Sequence, residues 1–319
     1  MKLVTIDEIR AAAERIKGTA VRTPLLRQPW AERGELWLKP ESLQDIGAFK
    51  VRGAYNAVAA LDEDQRARGV VAYSSGNHAQ AVAYAAKLFG VPAVIVVPDV
   101  TPRIKVEATL AHGAEVVEVP IGERESAAYA LAEERKLTLI PPFDHPAVIA
   151  GQGTIGLEIA EDLPGAEVVL IPVSGGGLAS GIGTAIRALC PDAKVYGVEP
   201  ELAADTAEGL RQGSRADWPI ERRARTIADG LRSQPSELTF AHLRQVLDGV
   251  LTVTEDEIRS AVRTLAYRSR LIAEPSGAVA TAAYLFHGDE LPTGKTVSIV
   301  SGGNVDPAML AELLTPPRP

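Results

Sequence analysis

The sequence predicts an α/β protein of two domains, each a mostly parallel, twisted sheet flanked by helices, with the smaller domain inserted into the larger. Three observations predict it. Short valine- and isoleucine-rich runs recur along the 319 residues. Alanine-rich amphipathic stretches alternate with them. The runs themselves are near-continuously apolar, as expected of parallel strands buried on both faces. A chain of this length accommodates two domains, or one with an insertion. At 46% hydrophobic and 23% charged residues it has the composition of an ordinary globular core.

Taken in order, the segment MKLVTIDEIRAAAERI reads as a capped amphipathic helix with acids in its first turn, not as a signal peptide. After Asp45 and Gly47, apolar residues at Val51, Ala54, Tyr55, Val58 and Leu61 mark a second helix. On its wheel Lys50 stacks with Ala54, Ala57 and Leu61, so Lys50 should point inward. Arg52 stacks with Asn56, Ala59 and Glu63 and should point outward or sideways. Burial and the positive helix end both penalise a charged Lys50 and favour a neutral, nucleophilic amine. On these residues alone, a lysine that snorkels to solvent along its stem is the simpler reading. Strands follow at VVAYS (70–74), AVIVVP (93–98), AEVVEV (114–119), EVVLIPV (167–173), KVYGVEP (194–200) and TVSIVSGG (296–303). Helical stretches lie at 79–89, 104–112, 123–136, 153–162 and 178–189. Three βα units in a row suggest a small domain over 69–144. Residues 1–68 and 145–319 would form the large one, with no C-terminal regulatory domain. The PPRP tail, 316–319, reads as a frayed end.

The net charge of −8 argues against a nucleic-acid partner, which would need a basic footprint. Cys190 is the only cysteine, so neither an intrachain disulfide nor a cysteine metal cluster is available. No apolar run approaches the length that spans a bilayer. These features predict a soluble, cytoplasmic protein and say little about its substrate.

Four loops fall where open α/β sheets bind ligands, beyond the carboxyl ends of strands. SSGNHAQA (74–81) concentrates polar groups beside a helix start, where Ser75 or Asn77 could equally serve as a cap. SGGGLASG (174–181) combines three glycines with a helix N-terminus, an anion site suited to phosphate. It is neither a Walker A loop nor a dinucleotide fingerprint. GVEPELAAD (197–205) offers Glu199 and Asp205, which with an intervening carbonyl could hold a hard cation. SGGNVD (301–306) would present the Ser301 hydroxyl to the crevice.

Lys50, the SSGNH loop, the triple glycine and SGGN occur in an order and at spacings that resemble the fold-type II pyridoxal-phosphate enzymes, specifically the serine/threonine dehydratase and serine racemase group. The resemblance runs from RTPLL (22–26) through ESLQDIGAFKVRGA, VIAGQGTIGLEI, TIADGL and EPSGA to SGGN. It implies that Lys50 carries pyridoxal 5'-phosphate as a Schiff base and later serves as the base at Cα. Ser174, Gly175, Gly176, Gly177 and Leu178 would hold the phosphate. Asn77 would bond the phenolic oxygen, Phe49 would pack on the ring and Ser301 would face the pyridine nitrogen. A serine there weakens the electron sink and favours β-elimination over transamination. Ser74, Ser75, Gly76 and His78 would hold the substrate carboxylate, and Ser75 matches the racemase base. Glu199, the Ala203 carbonyl and Asp205 match a divalent-cation site for Mg, Mn or Ca. A homodimer is also implied.

The implied activity is a lyase reaction of amino-acid metabolism, the dehydration and deamination of L-threonine or L-serine to a 2-oxo acid and ammonia. Alternatives are a serine racemase, a dehydratase of 3-hydroxyaspartate or phenylserine, or a non-catalytic binder of a phosphate metabolite. Three departures from the group bear on substrate preference. Ala48 precedes Phe49 where serine is frequent, Pro141 stands where histidine is, and Ser174 opens the glycine loop in place of a fourth glycine.

Overall fold

The computed structural model describes residues 1–315; the tail read as a frayed end lies outside the described residues. Among the described residues ten strands form two sheets. In chain order they are β1 (Leu26–Gln28), β2 (Glu35–Pro40), β3 (Val70–Tyr73), β4 (Ala93–Pro98), β5 (Glu115–Val119), β6 (Thr138–Leu139), β7 (Val168–Pro172), β8 (Lys194–Pro200), β9 (Gly249–Val253) and β10 (Lys295–Val300). The larger sheet has the order β1-β2-β10-β7-β8-β9 and is parallel except where β1 meets β2. The smaller, β5-β4-β3-β6, is parallel throughout. Every residue of β4 and β7 is buried, which is why these strands read as unbroken apolar runs.

Four strands escaped the sequence pattern. β1 and β6 have three and two residues, too few to show a period. β2, with the sequence ELWLKP, mixes charge with apolar residues, and β9 opens on a glycine. The helix read over 153–162 begins earlier, at Pro146. Gly151 and the opening proline hid the first half from a periodicity argument, yet the glycine sets its packing. A Cβ on Gly151 would stand 2.6 Å from the Arg52 carbonyl oxygen, and one on Gly181 would overlap the Ile149 carbonyl oxygen. Helices Lys50–Ala59, Pro146–Asp162 and Gly177–Leu189 thus touch backbone to backbone.

Helix Lys50–Ala59 lies between layers. Its Val51, Ala54, Ala57 and Val58 join one apolar cluster with Val70, Ala72 and Val82 of the small sheet and its helix. Arg52 departs from expectation: it points neither outward nor sideways but is fully buried. Its Nε donates to Glu41 Oε2 at 2.8 Å, Nη1 to Glu158 Oε1 at 2.6 Å and to Thr154 Oγ1 at 3.1 Å, and Nη2 to the Val21 carbonyl at 3.0 Å. Lys39, also fully buried, donates to Glu158 Oε2 at 2.5 Å. Two cations and two carboxylates therefore form one closed cluster. Burial opposes the Glu41 charge, but Arg52 more than offsets it and holds the carboxyl below its usual range.

Candidate active site

The loops after β3, β7 and β10 converge on the start of helix Lys50–Ala59. Two backbone hydrogen bonds fasten that start to the end of β10 and make the isolated bridge between Ala48 and Gly302: the Phe49 amide donates to the Ser301 carbonyl at 3.0 Å, and the Gly303 amide donates to the Gly47 carbonyl at 2.9 Å. Lys50 is half-buried, and its Nζ donates to the Pro142 carbonyl at 2.7 Å. The amine stands 5.1 Å from the centre of the Phe49 ring. Burial pushes its pKa down to about 8. The amine therefore has a substantial neutral fraction near neutral pH, as a Schiff-base lysine needs.

After β3, Ser74 is tied back by its amide to Val96, and its Oγ accepts from the Gly76 amide at 3.2 Å. Helix Asn77–Phe89 starts with Gly76 at the cap position and no side-chain cap. Neither Ser75 nor Asn77 caps it, which leaves first-turn N–H groups to face an anion. Asn77 turns instead to the large sheet, donating through Nδ2 to Glu274 Oε1 at 2.6 Å and accepting from Asn304 Nδ2 at 2.8 Å.

His78 is buried, its Nε2 2.8 Å from the Ile140 carbonyl. A carbonyl only accepts, so Nε2 carries the proton, and Nδ1 is a lone pair with no partner among the described residues. Burial, helped by the Lys50 charge, drives the imidazole pKa down to about 3. A carboxylate near His78 would therefore meet its backbone N–H, since the ring has no free donor. Lys50 and His78 dock on carbonyls two residues apart in the 140–142 segment, which places them side by side.

After β7, Ser174 Oγ donates to the Ser233 carbonyl at 3.0 Å and accepts its amide at 2.9 Å, pinning the start of the glycine loop. Gly176 has φ +87°, a left-handed conformation that a side chain would strain. Phe143 fills the space where a Cβ on Gly175 or Gly177 would stand. Helix Gly177–Leu189, with Leu178 in its first turn, also lacks a side-chain cap. The loop is thus glycine by necessity and presents an unpaired helix N-terminus to an anion.

Ser301, at the end of β10, is buried. Glu199 and Asp205 are buried at the end of β8, the strand that pairs with β7 in the larger sheet. Glu199 accepts the amides of Thr206 at 3.1 Å and Ala207 at 2.8 Å. Burial and the neighbouring Asp205 push Glu199 up to about 8, and burial pushes Asp205 up to about 7.

Glu274, Asn304 and Phe143 are parts of the site to which the sequence reading gave no role. Glu274 precedes a proline at the start of a helix, which reads as an ordinary cap; it makes no capping bond to that helix. No local pattern announces that its carboxyl reaches Asn77.

Residues 16–302 match the family described as pyridoxal-phosphate dependent enzyme. The chain is 40% identical to the L-threo-3-hydroxyaspartate ammonia-lyase of Saccharomyces cerevisiae, over 99% of this chain and 98% of the relative. It is 44% identical to the L-threonine ammonia-lyase of Thermotoga maritima, over 98% of this chain and 78% of the relative. The structure of maize serine racemase superposes with a TM-score of 0.93 at 38% identity, covering 98% of this chain and 97% of that one. The chain belongs to the family of pyridoxal-phosphate dependent enzymes, with the fold-type II architecture of threonine deaminases and serine racemases. Its own residues fit the cofactor: an amine of lowered pKa, an uncapped glycine loop for the phosphate and an amide poised beside them. Among the described residues no helix is long and apolar enough to cross a membrane.

Proposed function

We propose that the protein is a pyridoxal-phosphate-dependent ammonia-lyase that converts a β-hydroxy amino acid, L-threonine or L-serine, into a 2-oxo acid and ammonia. The observation that carries this reading is the half-buried Lys50 amine, pKa about 8, set among the SSGNH loop, the triple-glycine loop and Ser301. Pyridoxal phosphate, when bound, supplies the electron sink that stabilises negative charge at Cα. Ser174, Gly175, Gly176, Gly177 and Leu178 hold its phosphate, and Phe49, Asn77 and Ser301 hold its ring. Ser74, Ser75, Gly76 and the His78 backbone bind the substrate carboxylate at the uncapped helix start. Neutral Lys50 takes the Cα proton as general base. The β-hydroxyl departs with a proton as water, and hydrolysis of the eneamine product releases ammonia. The names of the relatives support this substrate class and a second activity, racemisation, for which Ser75 is the base on the opposite face.

A panel of L-threonine, L-serine, 3-hydroxyaspartate and phenylserine, read by oxo-acid release and chiral analysis, tests the reading. Oxo acid from at least one substrate is expected, and none from any of them would refute the lyase. Ser75→Ala should suppress racemisation by about 100-fold while elimination falls far less. Equal losses would reject Ser75 as the opposite-face base.

We also infer a divalent cation, Mg, Mn or Ca, on Glu199, the Ala203 carbonyl and Asp205. Two adjacent buried carboxylates with raised pKa values, and Asp205 Oδ2 without a partner among the described residues, support it. Among the described residues no group of three or more His, Cys, Asp or Glu side chains gathers, so water and carbonyl oxygens would complete the shell. Chelation should lower both the melting temperature and the activity, with recovery on adding Mg; unchanged values would remove the cation from the account.

The same reading includes a homodimer in the cytoplasm. It divides the chain into 1–68 with 145–319 and 69–144, a division that the two separate sheets support. Helix Lys50–Ala59 spans that division, because its apolar face packs with the smaller sheet.

A further inference from the structure

We infer that Glu274 is a positioning residue that sets the orientation of the Asn77 amide through a chain of side chains crossing from one sheet to the other. The inference rests on the reading that Asn77 touches the cofactor. Asn77 Nδ2 donates to Glu274 Oε1 at 2.6 Å, and Asn77 Oδ1 accepts from Asn304 Nδ2 at 2.8 Å. Asn304 Nδ2 also donates to the Ile46 carbonyl at 2.8 Å, fixing the far end of the chain. An amide has two N–H donors and one oxygen. With its oxygen on Asn304 and one hydrogen on Glu274, Asn77 has a single orientation and a single N–H left to give. Flipping the amide would set its oxygen against the Glu274 carboxyl and its NH₂ against the Asn304 NH₂.

Three sequence motifs meet in this arrangement: SGNH supplies Asn77, EPSGA supplies Glu274 and SGGN supplies Asn304. Gly302 makes the junction feasible, since a Cβ there would overlap Glu274 Oε1 and approach Asn77 Nδ2 to 3.2 Å. Glu274 is buried and does not cap its own helix, so the carboxyl makes its contact with Asn77 rather than with local backbone. Burial and the nearby Asp229 charge raise its pKa to about 8, against the Asn77 bond and Lys105. In either protonation state Oε1 can accept the Asn77 hydrogen. A glutamine would preserve that acceptor and a leucine would not.

The test compares wild type with Glu274→Leu, Glu274→Gln, Asn77→Ala and the Glu274→Leu/Asn77→Ala pair. Each apoprotein is titrated with pyridoxal phosphate, following tryptophan fluorescence and the visible band, and the pH midpoint of that band is recorded. Glu274→Leu should weaken cofactor affinity by about tenfold and move the midpoint, whereas Glu274→Gln should stay within about threefold of wild type. The pair should be no weaker than Asn77→Ala alone, as for two residues acting through one contact. Wild-type affinity and midpoint in Glu274→Leu, or additive losses in the pair, would overturn the inference. Should Glu274→Leu fail to fold, Asn304→Ala carries the same cycle with Asn77→Ala, and additivity or no effect there overturns it equally. A wild-type protein that forms no visible band fails the cofactor reading itself, and that outcome is seen before any variant is compared.

Discussion

Lys50→Ala is expected to lose at least about 1,000-fold in turnover and to lose the visible absorbance band entirely. The expectation follows from where the amine sits. It lies in the first turn of a helix whose start is fastened to the end of β10, and among the described residues its Nζ donates one hydrogen bond, to the Pro142 carbonyl. Removing it deletes one hydrogen bond and an amine that is costly to charge, so the folded state should change little. Turnover and stability should therefore separate cleanly. The pH dependence has a definite sign. Burial lowers the Lys50 pKa from its ordinary value to about 8, so the neutral fraction is full above that pH and falls about tenfold per unit below it. Uptake of pyridoxal phosphate by the apoprotein should slow in parallel as pH drops from 8 to 6. A rate that is flat over that range would mean that the Lys50 amine is not what limits uptake.

Arg52→Leu should produce the largest loss of stability, about 3–5 kcal/mol, measured by urea unfolding. The guanidinium is fully buried and bonded to Glu41, Glu158, Thr154 and the Val21 carbonyl. Leucine would leave Glu41 buried against Thr23 and Gln44 without its bonded cation, and Lys39, already bonded to Glu158, would be the one positive charge left for two carboxylates. Arg52→Lys keeps the charge but cannot reach both carboxylates in the same fork, and should fall between the two. A loss below about 1 kcal/mol would show that the cluster contributes no more than a surface ion pair. Because Arg52 lies two residues from Lys50, the leucine variant should also bind the cofactor less tightly in proportion to its unfolding.

The contrast between these two residues shows what a sequence reveals and where it stops. The inward strip at Lys50 was legible because a helix start, a small-residue face and polar loops at strand ends each have a local signature. Arg52 was misplaced because a helical wheel separates faces but does not say how many of them are covered. Helix Lys50–Ala59 is covered on both sides: the strip of Arg52 and Asn56 faces helix Pro146–Asp162, and Asn56 donates to the Ala147 carbonyl at 2.7 Å. The first half of that helix, which opens on Pro146 and contains Gly151, showed no helical period, so the sequence held no warning. The strands at 93–98 and 167–173 were plain, since both faces are buried, whereas β1 and β6 are defined by their partners alone. Glu274 and the tautomer of His78 were out of reach for the same reason. Each is set by one long-range contact, to Asn77 and to the Ile140 carbonyl, that no local pattern encodes.

The central claim is that Lys50 holds pyridoxal phosphate with the glycine loop after β7 around its phosphate. Borohydride reduction of the purified holoprotein, followed by proteolysis and mass spectrometry, tests it most directly. One phosphopyridoxyl group is expected on the peptide containing Lys50, and none on Lys39, which is engaged with Glu158 and the Thr23 carbonyl. Label on another lysine, or no label in a protein that retains activity, would contradict the account.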